Sequence, residues 1–148
     1  MIDSLNILAL LKTSEIKKKF PRVPDFAIPK MKYSDKTAND LTRCIIDFIR
    51  LSGNQAERVN CTGRKVKVAG RERWIPTAGQ KGTADISATK LIEIDERRIG
   101  VKVAIEVKVG RDKQSEAQRQ YQLQIEQAGG VYLIATSFEQ FLDAWNRI

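Results

Sequence analysis

Residues 105–108 read I-E-V-K, and twenty residues separate Glu106 from an earlier acid, Asp85. A carboxylate and an ammonium two positions apart on a strand leave the same face, because strand side chains alternate with period two. The run VKVAIEVKVG (101–110) fits that pattern. Val101, Val103, Ile105, Val107 and Val109 share one face, and Lys102, Ala104, Glu106 and Lys108 share the other. If 83–94 and 99–109 are strands joined through a turn at D-E-R-R (95–98), the simplest antiparallel register sets Asp85 opposite Lys108, with Glu106 diagonal to it. Two converging carboxylates form a hard oxygen site suited to Mg²⁺ or Mn²⁺. The backbone carbonyl of Val107, pointing sideways from the strand, is placed to complete the metal shell. Lys108, about 6–7 Å along the strand from Glu106, can orient an attacking water or neutralise charge on a phosphate in transit. The chemistry such a set would serve is phosphodiester hydrolysis. The same residues also read as a cross-strand surface ion pair worth less than about 1 kcal/mol, and E-x-K is common on exposed strands. Gly82, just ahead of Asp85, allows close approach of a ligand to the backbone.

The remaining elements follow from periodicity and punctuation. Thr37–Leu51 is a helix with Leu41, Ile45 and Phe48 on one face, stopped by Gly53. A-E-R-V-N (56–60) is a short strand, and residues 61–81 read as a loop. After the strand pair, G-R-D-K (110–113) is a loop. Ser115 then begins a helix with Gln118 at its third position, an S-x-x-Q capping box, and Ala117, Tyr121, Ile125 and Ala128 form its apolar stripe. V-Y-L-I-A (131–135) is a short apolar run suited to a buried strand. Ser137 and Gln140 make a second capping box for a last helix with Phe138, Phe141, Leu142, Trp145 and Ile148 on its buried side. The order over 37–148 is α-β-β-β-α-β-α, an α/β fold with a mixed central sheet flanked by helices. Residues 1–20 form a short helix ending in K-K-K. Residues 21–36, with three of the four prolines, form an extended arm or linker whose packing the sequence leaves open.

Composition narrows the chemistry. At 148 residues the chain is one domain with length enough for a core. No apolar run is long enough to cross a membrane, and M-I-D-S-L-N-I-L-A-L-L-K lacks the features of a signal peptide. Cys44 and Cys61 fit neither a zinc site nor a disulfide framework and are expected as reduced thiols in a cytoplasm. The chain has no histidine, which removes Ser-His-Asp and Cys-His catalysis and histidine-ligated zinc. The net charge is +8, and residues 61–81 hold six bases (Arg64, Lys65, Lys67, Arg71, Arg73, Lys81) against one acid (Glu72), or +5. Such clustering suits a polyanion, with the phosphate backbone foremost, over a merely solvated face.

Four segments together, G-T-A-D-I (82–86), I-E-V-K (105–108), Q-S-E-A-Q-x-x-Y (114–121) and A-G-G-V-Y-L-I-A (128–135), resemble the PD-(D/E)XK nuclease superfamily, and within it the VRR-NUC branch of virus-type replication-repair nucleases. The resemblance covers about residues 37–145 and implies a restriction-endonuclease-like core. It implies Asp85 and Glu106 as metal ligands, Lys108 as the catalytic lysine and a supporting role for Gln118. It further implies a DNA substrate, branched or junction DNA in replication, recombination or repair, and a homodimer of the kind found in stand-alone, phage-like members. The family's proline before the aspartate is Ala84 here. Its frequent first-helix glutamate has only Asn39 and Asp40 as candidates; Asp40 can meet a metal-bound water or serve as a first-turn acid favoured by the helix dipole. In this frame Arg64, Lys65, Lys67, Arg71, Arg73 and Lys81 straddle phosphates, Lys102 joins them from the face of Glu106, and Trp74 stacks on a base or makes a core or dimer contact. Two rivals remain: a non-catalytic nucleic-acid-binding module on the same fold, and an interaction protein whose charged strand has no chemistry.

Overall fold

The computed structural model describes residues 3–60, 63–76 and 79–148. In chain order the elements are α1 (Ser4–Lys19), a single 3-10 turn (Asp25–Ala27), α2 (Ala38–Leu51), β1 (Gln55–Arg58), β2 (Arg64–Val68), β3 (Arg71–Ile75), β4 (Ile86–Ile94), β5 (Arg97–Val107), α3 (Glu116–Gln127), β6 (Val131–Ala135) and α4 (Phe138–Trp145). A four-stranded mixed sheet has the order β1-β4-β5-β6, with β1, β4 and β5 antiparallel in turn and β6 parallel to β5. The strands β2 and β3 form a separate antiparallel pair. The expected mixed α/β architecture is therefore present, with one addition: most of the basic segment read as a loop is a hairpin.

Both hairpins turn on two residues, for the same reason. Ile94 pairs with Arg97, so Asp95 and Glu96 alone make the β4–β5 turn, with φ of 47° and 64°. Val68 pairs with Arg71, leaving Ala69 (φ 50°) and Gly70 (φ 77°) as the β2–β3 turn. Two successive left-handed residues match the twist of paired strands, the geometry of a type I′ turn. The tighter β4–β5 turn corrects the register drawn from the sequence. Continuing from Ile86↔Ile105 by one residue, Asp85 stands across from Glu106, not Lys108. The shift is by two residues, so every side chain keeps its face.

The sheet is covered on both sides near the root of β5. On one side Val103, Ile105 and Val107 pack with Ile86, Ala88 and Ala135 against Leu41, Cys44, Ile45 and Ile49 of α2, Leu8 of α1, and Phe138, Phe141 and Trp145 of α4. Phe48 meets the rings of Phe138 and Phe141 edge-on, with centroids 5.9 and 6.0 Å away. On the other side Ala84, Ala104 and Tyr132 pack under Tyr121 and Ile125 of α3. The arm is stitched to this body. The Tyr33 hydroxyl donates to Asp47 at 2.6 Å, the Cys44 thiol donates to the Ser34 carbonyl, and Asp35 accepts from the Phe138 amide at 3.0 Å, capping the start of α4. Burial raises the Cys44 thiol to about 11, so it stays a neutral core group; Cys61 lies outside the described residues. Among the described residues no helix is long and apolar enough to cross a membrane.

Candidate active site

Glu106 is the anomaly of the core. It is a carboxylate on a central strand, 2% exposed, with Lys108 beside it at 9%. A lone ion in such a place costs several kcal/mol, and the surroundings show how that cost is offset. Asp85 ends the loop before β4 and is held by the β1 edge, where the Val59 amide donates to its carbonyl at 2.8 Å. Its carboxylate Oδ2 accepts from the Val107 amide at 2.9 Å, which draws it to the end of β5. The Lys108 ammonium lies 3.2 Å from Glu106 Oε1 and 3.1 Å from Asp112 Oδ2. Gln118 donates from Nε2 to Glu106 Oε1. The S-x-x-Q box does two things at once: Gln118 Oε1 accepts from the Ser115 amide at 2.8 Å while its amide nitrogen reaches the acid. The cap of α3 thereby aims a side chain into the site.

One oxygen is left over. Among the described residues, Glu106 Oε2 is buried with no hydrogen-bond partner, and so is the Tyr132 hydroxyl, although Glu106 and Gln114 are its neighbours. Burial first, then the charge of Asp85, pushes the Glu106 carboxyl up to about 7, against the downward pull of Lys108. Burial works against the charge of Lys108, but its bonds to Asp112 and Glu106 outweigh this and raise its pKa. Burial and then the charge of Glu106 raise that of Tyr132. An orphaned, destabilised carboxylate oxygen beside a second carboxylate is the chemistry a divalent cation satisfies, so Asp85 and Glu106 fit a metal. Among the described residues no group of three or more acidic, cysteine or histidine side chains has the arrangement of a metal site, so a cation here would have to draw on this pair, backbone and solvent.

Other expected residues lie elsewhere. Asp40 is occupied at the start of α2, where its carboxylate accepts from the Thr37 hydroxyl at 2.8 Å, and Asn39 accepts from Arg58 at 2.7 Å. Asp40 serves the entry to the helix, and Asn39 ties that entry to the end of β1. Lys102 shares the face of Glu106 but donates to Ser87. Arg64, Lys65, Lys67, Arg71, Arg73 and Trp74 stand on the β2–β3 hairpin, and Lys81 is exposed in the following loop. Gly82 has a second purpose. At φ 84° it lies against α3 so closely that a Cβ would overlap the carbonyl of Ala117 and crowd the amide of Gln118. The sequence reading missed Asp112 and Tyr132. A tyrosine within a strand predicted to be buried was the available signal, since its hydroxyl needs a partner there.

Comparison of the chain with protein-family models, with curated proteins and with solved structures gave no match.

Proposed function

We propose that this chain is a metal-dependent nuclease that hydrolyses phosphodiester bonds in DNA. The observation that carries the reading is the orphaned Glu106 Oε2, on a buried carboxylate whose other oxygen meets the Lys108 ammonium and which feels the charge of Asp85. A structural role would be met equally well by an apolar side chain and at lower cost. Asp85 and Glu106 are the residues to hold Mg²⁺ or Mn²⁺, which supplies Lewis acidity toward the phosphate and an acidified water. Gln118 fixes the Glu106 carboxylate, and Asp112 steadies the Lys108 ammonium. Lys108 places positive charge where the phosphate gains negative charge. Branched or junction DNA as preferred substrate, and a two-fold dimer suited to paired cuts, belong to the same proposal and draw support from the VRR-NUC-like sequence segments.

The test is cleavage of labelled four-way junction, flap and linear duplex DNA in Mg²⁺, Mn²⁺ or EDTA, with Glu106→Gln and Lys108→Ala in parallel. Metal-dependent cutting that either substitution lowers by about 10³-fold is the expected result. Cutting by neither the parent nor the variants, with DNA still bound, turns the assignment to a non-catalytic binding module. That second reading has its own support, since the described residues offer a pair of acids and no larger cluster.

A further inference from the structure

The β2–β3 hairpin is exposed along almost its whole length on both faces, with only Val66 partly covered. An isolated two-stranded hairpin is marginal in water, so this shape calls for something to lie against. Its pairs, Arg64↔Ile75, Val66↔Arg73 and Val68↔Arg71 on one face, Lys65↔Trp74 and Lys67↔Glu72 on the other, sort its chemistry. The first face carries three arginines, three aliphatic side chains and no acid. The second carries two lysines, the 58%-exposed Trp74, and Glu72 at 3.6 Å from Lys65. The charge is therefore concentrated on the arginine face, +3 against +1.

The points where the chain departs for the hairpin and returns from it are also fixed. The excursion leaves β1 after Arg58, which pairs with Ile86, and returns at Asp85, whose carbonyl holds the Val59 amide. The segment that carries the ribbon therefore leaves and rejoins the sheet where Asp85 and Glu106 stand. Five residues per strand span about 17 Å, and two strands lie about 4.8 Å apart. The B-DNA major groove, about 12 Å wide, admits such a ribbon; the major groove of an RNA duplex is too narrow. Arginine is the side chain that reads the O6/N7 edge of guanine, and aliphatic groups pack on thymine methyls. The arginine face offers both, interleaved.

We infer that the β2–β3 hairpin is a β-ribbon that enters the major groove of a DNA duplex next to the candidate active site, presenting Arg64, Arg71 and Arg73 with Val66, Val68 and Ile75 to the base edges. The inference rests on the nuclease reading for the identity of the polyanion, and it adds that duplex DNA must extend beside the scissile phosphate.

The experiment uses the full chain in EDTA with a labelled DNA duplex, the matching RNA duplex and dimethyl sulfate footprinting of guanine N7. Three proteins are compared: the parent, the triple variant Arg64→Ala/Arg71→Ala/Arg73→Ala, and the double variant Lys65→Ala/Lys67→Ala, with thermal melting to show that all fold. The parent should bind the DNA duplex at least about 10-fold more tightly than the RNA duplex and protect guanine N7. The triple variant should lose that protection and bind at least about 10-fold more weakly. The double variant should keep the protection. Equal affinity for the RNA duplex, absence of N7 protection in the parent, or protection that survives the triple substitution would overturn the ribbon. The cleavage assay separates the two readings. A triple variant that binds like the parent while metal-dependent cutting persists removes the ribbon alone, and lost N7 protection without any cutting removes the nuclease alone.

Discussion

The two hairpins share a turn geometry and differ in almost everything else. The β4–β5 pair is bordered at its root by β1 and β6 and roofed by helices on both sides, and there it holds Asp85 against Glu106. Among the described residues the β2–β3 pair has neither neighbouring strand nor roof, and it carries five of the chain's cations. Hydrogen-bonded pairing is common to both, so pairing is not what fixes a side chain. Covering does that, by removing water and alternative rotamers. A charge on the covered hairpin is forced into a set of partners, whereas a charge on the open one keeps its hydration until a ligand displaces it.

The strongest way to break this contrast is to cut a side chain from each. Ile105→Ala, at a fully buried position, is expected to cost about 3–4 kcal/mol by denaturant unfolding, and Val68→Ala, on the open hairpin, less than about 0.5 kcal/mol. Similar losses would show that the β2–β3 pair is packed in solution.

A second probe uses pH. In metal-free buffer the folded chain keeps a proton on Glu106 up to about 7, while the unfolded chain releases it near 4.5. The folded state thus binds more protons across that window, and stability falls as pH rises through it, by at most on the order of 3 kcal/mol. Lys108, its pKa raised, adds stability throughout this range and loses it only well above it. Unfolding midpoints from pH 5 to 8 in EDTA should show the decline, and Glu106→Gln should flatten it. No open-hairpin substitution should touch the slope.

The smallest effect sharpens what the hairpins share. Ala69 and Glu96 both hold a left-handed backbone that favours asparagine or glycine. Ala69→Asn and Glu96→Gly should each stabilise by about 0.5–1 kcal/mol, seen globally for Glu96 but only as slower amide exchange within β2–β3 for Ala69.

How far the sequence carried depended on the range of the interactions. The helix boundaries at Thr37, Ser115 and Ser137 were legible because caps are local: each hydroxyl accepts from the amide three residues on. The second capping box was only half right, since Gln140 reaches the Thr136 amide instead of Ser137. The alternation around Ile105 identified the core face and kept Glu106 and Lys108 together. Register was out of reach, because it depends on whether two or four residues turn the chain, and D-E is an unusual left-handed pair. The A-G at 69–70 was a fair turn signal, masked by the charge on either side of it. Asp112 and Asp40 show the harder limit. Nothing local says which of two acids a lysine will meet, and here the acid on the helix went to its own cap while the one in the loop after β5 found Lys108.

The closeness of the hairpin's two ends has a consequence for how such a chain can change. A segment whose entry and exit sit on neighbouring strands can be exchanged, lengthened or trimmed with little disturbance to the sheet that carries it. The body from α2 to α4 is then a chassis, and residues between Val59 and Gly82 are an attachment. Transplanting that attachment between two such bodies would carry over what is gripped without altering what is cut.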